Sequence, residues 1–351
     1  CSAKKILANK NNYLNISNLV NNIDFQYKNL DYKNNYFPKI YFNQDLNSFK
    51  ICSDEINCSK ITTETIVESV SGDYIFNHKG KSFFPEISGK LISKTFTKKI
   101  IVTDNENQIF DIKEDEIYYI NLKNFTKNID LNFLGKNSKA LIYNSNFSKS
   151  NIKLNFTKNY ENIENGFDEN LLTGCLTIID SVFDNITIKS DGGNCEDTVN
   201  IIRSVGSIKK IDVLNSPSDA VDFDFSKISV KDVYIEKAKN DCLDLSSGNY
   251  LIKNLYTKNC LDKGLSIGEK SSTKVTNYYP SNNFLDFAVK DSSEFYLENF
   301  FTNKKNDALC GSLYRKKQEF DGANFFYSKI EFPCLVKKDK FSKVNFYASK
   351  K

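Results

Sequence analysis

In the second half of the chain, apolar and polar residues alternate with a period of two, and the alternating stretches recur every 22 residues. Aligned on Asp197, Asp219, Asp241, Lys263, Leu285 and Asp307, the residues two positions on are Val199, Val221, Leu243, Leu265, Phe287 and Leu309. Two further on stand Ile201, Phe223, Leu245, Ile267, Val289 and Gly311, so that eleven of these twelve positions are large and apolar against 40% for the whole chain. A period of two marks a strand with one face inward. A second strand follows in each unit, through Ile208, Val230, Ile252, then Val275 and Leu297 after a one-residue slip, with Ile211, Val233, Leu255, Tyr278 and Phe300 beside them. Helical spacing is missing. Repeats of this length built from short strands predict an all-β fold, a right-handed parallel β-helix in which like residues stack into ladders ~4.8 Å apart.

Upstream, Ile117–Leu122, Ile129–Phe133, Leu141–Tyr143, Ile152–Phe156 and Leu176–Ile178 read as strands of the same solenoid. The expected organisation is a tether over residues 1–12, an N-terminal cap over 13–90, a β-helix over 91–320 with its clearest repeats at 196–317, and a C-terminal cap over 321–351. An acidic loop insertion at 157–173 interrupts the helix. Caps are expected because exposed coil edges invite aggregation.

Composition narrows the function more than it identifies it. Asn and Lys are abundant and Met and Trp absent, as in the drift of an AT-rich genome. The net charge is +4 with both signs interspersed, so no nucleic-acid arm is expected. No apolar run approaches the ~18 residues of a membrane span. The opening Cys1-Ser2-Ala3-Lys4-Lys5 is similar to the start of a mature bacterial lipoprotein, which implies a lipid at Cys1, export, and a tether to the membrane at the periplasmic or cell-surface side. Of the eight other cysteines, Cys52 and Cys58 bracket a loop-like stretch and are the expected disulfide. The remaining six sit within coils and are read as packed thiols. With no C-x-x-C and a single histidine, His78, no metal site of the usual Cys/His type is expected.

Candidate chemistry lies between the inward columns. Asn200, Asp222, Asp244, Ser266, Ala288 and Cys310 form one outward column, and Ile202, Asp224, Ser246, Gly268 and Lys290 the next. Asp222, Asp224 and Asp244 should make an acidic patch, with Asp222 and Asp244 on the order of 5 Å apart. Adjacent carboxylates need a shared proton, a cation or a nearby Lys. The column of Asp197, Asp219, Asp241 and Asp307 sits at the turn entering the strand, where an Asp accepts hydrogen bonds from turn amides. Its recurrence favours that structural use over catalysis. Lys263, Glu269 and Lys270 stand beside the acidic coils, and Lys290, Arg315 and Lys316 continue a mixed-charge strip able to hold an acidic sugar. Its other reading is a solvated face of weak ion pairs.

The block 218–290 resembles the pectin-lyase-like superfamily, and within it the polygalacturonases, whose coils carry N-T-D, D-D, G-H-G and R-I-K. Here Pro217-Ser218-Asp219, Asn240-Asp241-Cys242, Asp262-Lys263-Gly264 and Ala288-Val289-Lys290 stand at those places. The His, the Arg and one Asp of the family are replaced. A closer likeness, over 170–320, is to bacterial right-handed β-helix repeat proteins, carried by Glu196-Asp197-Thr198-Val199-Asn200 and Ser218-Asp219-Ala220-Val221-Asp222. These resemblances imply fold and export. The expected function is a lipid-anchored β-helix that binds an acidic or polar polysaccharide, as a monomer or a surface-complex subunit. Hydrolysis by Asp219, Asp241, Asp222 or Asp244 is favoured and requires no cofactor. β-Elimination would use Lys263 or Lys290 as base with Ca²⁺ on the Asp cluster. The rival is a non-catalytic scaffold or adhesin.

Overall fold

The computed structural model describes residues 104–157, 172–329 and 331–346, the strand Phe96–Val102, and the backbone of seven further strands between 39 and 88. The chain forms two compact units. In one, residues 1–94 with 167–172, Lys39–Asn43, Ser48–Cys52, Cys58–Lys60 and Glu86–Ser88 form a four-stranded sheet, and Thr65–Val70, Asp73–His78 and Lys81–Phe83 an antiparallel three-stranded one. Cys52 lies directly opposite Cys58 in an antiparallel pair; the expected bond between their side chains lies outside the described residues.

The other unit is a right-handed parallel β-helix of about 10 turns, with no α-helix among the described residues. From Gly174 on, each coil contributes one strand to each of two parallel sheets. The first sheet contains Asp197–Ile202, Asp219–Asp224, Leu243–Ser246, Lys263–Gly268, Leu285–Lys290 and Leu309–Tyr314. The second contains Val205–Leu214, Lys227–Glu236, Asn249–Lys258, Ser272–Ser281 and Glu294–Phe300. The expected upstream strands all lie within observed ones, and Asn324–Tyr327, Leu335–Lys338 and Lys343–Phe346 continue both ladders.

The register follows the repeat: Val199 pairs with Val221, Val221 with Leu243, Leu243 with Leu265 and Leu265 with Phe287. All five are fully buried, which stabilises the fold by ~2 kcal/mol per side chain. The last row of the sequence alignment is corrected. Phe287 pairs with Gly311 and Val289 with Leu313, a step of 24 rather than 22 (311 − 287 = 24). Two extra residues precede this strand, so Asp307 leaves the Asp column and Leu309 is exposed. Gly311 interrupts the apolar column for a steric reason: a methyl there would overlap the Phe287 ring.

Three features of the turns and outer faces reveal what polar residues do here. Asn215, Asn259 and Asn282 occupy the same turn position with φ of 56°, 57° and 53°, the left-handed region Asn tolerates well. On the outside of the second sheet, Asn254 donates to Asp232 (2.7 Å), Asn277 to Asn254 (2.9 Å) and Asn299 to Asn277 (3.0 Å). Between the two strands of each coil runs a serine ladder. The amides of Ser145, Ser181 and Ser204 each donate to the hydroxyl of the serine one coil on: Ser181, Ser204 and Ser226. The ladder breaks at Gly248, where the Tyr250 hydroxyl takes the space of a side chain and donates to the carbonyl of Phe223 or Ser246 (2.8 Å each). Tyr234, Tyr256, Tyr279 and Phe301 stack at 4.5 Å with nearly parallel planes, so they present ring edges outward.

The six cysteines read as free thiols are corrected: Cys175–Cys195, Cys242–Cys260 and Cys310–Cys334 are disulfides. They are separated by 20, 18 and 24 residues, and each ties the turn before a first-sheet strand to the neighbouring coil or to its own. Closing loops of that length contributes on the order of 3 kcal/mol apiece. The pairing was hidden because the partners sit at different points of the repeat, so no common column joins them. Cys310, placed in the outward column by the shifted row, is one of them.

Candidate functional site

The outward side of the first sheet gathers most of the predicted site residues. Two devices put them there. Strand alternation aims Asp222 and Asp224 out of one coil and Asp244 out of the next, where Asp222 pairs with Asp244. The slip in the repeat then introduces Glu269, which with Lys270 takes a positive φ (52° and 61°) and turns its carboxylate onto the Ser246 hydroxyl and the Lys317 ammonium (2.7 Å).

Asp219 and Asp241 hold the entry turns together, as the structural reading of their column expects. Asp219 Oδ1 accepts from the amide of Asp241 (2.6 Å), and Asp241 Oδ1 from the amide of Lys263 (3.0 Å). The Lys263 ammonium returns to the Asp241 carboxylate (3.1 and 3.3 Å) and also pairs with Asp262. Lys290 lies 3.9 Å from Asp244, beyond hydrogen-bond reach. Asn200 donates to Asp222 (3.1 Å) and Asp224 (3.3 Å). Asn200 Oδ1, Asp222 Oδ1, Asp224 Oδ1 and Ser266 Oγ are buried with no hydrogen-bond partner among the described residues.

So many carboxylates in one enclosed place resist ionisation. Burial, then the charges of Asp241 and Asp244, push Asp219 up to about 8. Burial chiefly, with Glu269 and Asp244, raises Asp224 to about 7, although the Asn200 hydrogen bond opposes this. Asp241 rises only to about 6, because Lys263 and Lys290 offset burial and the Asp244 charge. Burial and Asp224 hold Asp222 well above the usual carboxylate range, and burial with Asp219 and Glu196 does the same for Asp197. Glu269 goes the other way: Lys317, Ser246 and Lys290 outweigh its burial and hold it low. Burial works against the charge on Lys290 and Lys263. Asp244, Glu269 and Asp241 nevertheless keep Lys290 protonated to higher pH than usual, and Asp241 and Asp262 do so for Lys263. Neither amine is therefore available as a base near neutral pH.

The face thus unites Asp222, Asp224, Asp244, Glu269 and Lys290, and Asp219, Asp241 and Lys263 border it at the entry turns. It does not recruit the rest of the predicted strip. Lys270 lies over the Phe320 ring (5.6 Å), Arg315 stacks on Phe341 (3.8 Å), and the Lys316 amide donates to Asp291 (2.6 Å). Lys317, the residue after Lys316, reaches the face instead, and Glu196 joins its electrostatics through Asp197 and Asp219. The signal for Glu269 was present in the sequence as the one-residue slip. Lys317 had none, since its approach depends on the non-repeating turn after Tyr314. Most of the 157–173 loop, residues 158–171, lies outside the described residues.

No protein-family model matches the chain, and no curated protein is significantly similar to it.

Proposed function

We propose that this is an exported, lipid-tethered β-helix protein that binds a polar or acidic polysaccharide on the outward side of the first sheet and hydrolyses it there. The observation that carries the reading is the placement of Asp219 and Asp241 on adjacent coils with the Lys263 ammonium bound to the Asp241 carboxylate. Asp219, raised to about 8, holds a proton at neutral pH and serves as general acid. Asp241, at about 6 and paired with Lys263, is ionised and serves as nucleophile or base. One carboxyl that keeps its proton and one that is ionised are the pair glycoside hydrolysis requires. Asp244 adds charge beside both. Lys290, with no close hydrogen bond to Asp244, has donors for a sugar carboxylate. Protonated lysines argue against elimination. Three disulfides support an oxidising, exported setting and so agree with a lipid at Cys1.

One observation favours the rival reading of a surface scaffold or adhesin: Asp219 and Asp241 each accept an amide of the next coil, which is structural work in its own right. The two are separated by incubating the full chain, with Cys1→Ser for solubility, with polygalacturonate, neutral glucans and other polysaccharides. Hydrolysis releases reducing ends without unsaturated-uronate absorbance. The rate follows a bell between the two pKa values, highest near pH 7. In Asp219→Asn and Asp241→Asn it falls by about a hundredfold or more. A panel without product, in which these variants change only the stability, leaves the scaffold.

A further inference from the structure

Beside the acidic face, two large apolar side chains are held out into solvent. Phe284 is 77% exposed and Leu261, at the same turn position one coil earlier, 66%. Neither belongs to the stacked Tyr234–Phe301 ladder. The turn that carries Phe284 is clamped. Its amide donates to the Cys260 carbonyl (3.1 Å), Lys304 Nζ donates to the carbonyls of Asn283 (3.1 Å) and Phe284 (3.3 Å), and Asn283, buried beneath, accepts from the Cys260 amide (3.1 Å). Cys260 is itself fixed by its disulfide to Cys242. An exposed Phe forgoes the stabilisation that burying its ring would give, and here it sits on a backbone with little freedom to fold it away.

Its neighbours define what suits it. Leu285, the next residue, pairs with Lys263 and its amide donates to Asp262 (2.9 Å), so Phe284 borders the coil that holds the Asp241–Lys263 pair. A surface with an apolar step on one side and hydrogen-bonding charges on the other matches a pyranose, whose C–H face is apolar and whose rim carries hydroxyls. The electron-rich face of an aromatic ring attracts such C–H groups.

We propose that Phe284, with Leu261 beside it, is a stacking platform for a sugar ring of the polysaccharide, one subsite out from Asp241. The inference rests on the proposed glycan-binding face but not on hydrolysis. The chain has no tryptophan, so Phe284→Trp introduces a single indole. Titrating that full-length variant with oligogalacturonate, and separately with a neutral gluco-oligosaccharide, should change the indole emission saturably with one of them. Phe284→Ala should weaken binding of the same probe about tenfold and raise KM without lowering kcat, while Phe284→Tyr should bind as the parent does and both should melt within a degree or two of it. Unchanged emission at saturation, or a Phe284→Ala protein that binds like the parent, overturns the platform. So does a parent that binds neither probe, or a parent dimer that Phe284→Ala turns into monomer, since the patch would then face a second copy. A responding indole in a protein that releases no reducing ends keeps the platform and sinks hydrolysis. Normal release of reducing ends with unaltered KM in Phe284→Ala does the opposite.

Discussion

On the outside of the second sheet, each polar residue serves the coil beside it: Asn299 donates to Asn277, Asn277 to Asn254, and Asn254 to Asp232, in half-exposed positions. On the outside of the first sheet the same stacking geometry brings Asp222 beside Asp244 and Asp219 beside Asp241, and there the repeat works against itself. An amide can donate to one neighbour and accept from the other, so a ladder of Asn satisfies itself however long it grows. A ladder of Asp has acceptors only, and each added coil adds repulsion. The first sheet tolerates this because Lys263, Lys290 and Lys317 enter from later coils and because Asp219, Asp222 and Asp224 resist ionisation. A repeating row of Asn is thus a structural solution, whereas a repeating row of Asp is one only where other groups offset its charge.

Removing the later cation should break this contrast most sharply. Lys290→Met removes the buried cation nearest Asp244, leaves Asp241 and Glu269 with Lys263 and Lys317 alone, and should cost about 3 kcal/mol at pH 7 in urea unfolding. Next comes pH. Asp219, Asp224 and Asp241 keep their protons to about 8, 7 and 6 when folded, whereas an unfolded Asp loses its proton near 4. The folded chain binds more protons across that window, so stability should fall by about 2 kcal/mol or more as pH rises from 4.5 to 8. Asp219→Asn with Asp224→Asn should flatten the slope, and a parent protein with no slope across this window would mean that the acidic face is solvated. Smaller effects belong to the second sheet. Asn277→Ala removes a link with neighbours on both sides and should cost about 1 kcal/mol by the same measurement. Lys274→Ala, which breaks the exposed pair with Glu298 (2.6 Å), should cost under about 0.5 kcal/mol.

The inward columns were legible in the sequence because burial imposes one requirement on every coil, and Val199, Val221, Leu243, Leu265 and Phe287 meet it in register. What escaped depended on departures from the period. Two residues inserted before Leu309 shifted the last row and carried Asp307 and Cys310 into columns they do not occupy. The disulfides escaped because bond formation is decided by distance across a turn, which periodicity does not encode. Asp219, Asp222, Asp241 and Asp244 were legible as neighbours, since stacking follows from register alone. The titration of Asp219 apart from Asp241 was not, because it depends on where the Lys263 side chain turns. The abundance of Asn, read first as drift, has a physical use in left-handed turns and in side-chain ladders.

The serine ladder points in one direction along the chain. The amide of Ser145 waits for the hydroxyl of Ser181, that of Ser181 for Ser204, and that of Ser204 for Ser226. A coil is completed by the one synthesised after it. As the polypeptide emerges, its newest turn is always the unfinished one, and each fresh turn seals its predecessor, so that assembly can advance in step with synthesis like a zip closing behind the growing end.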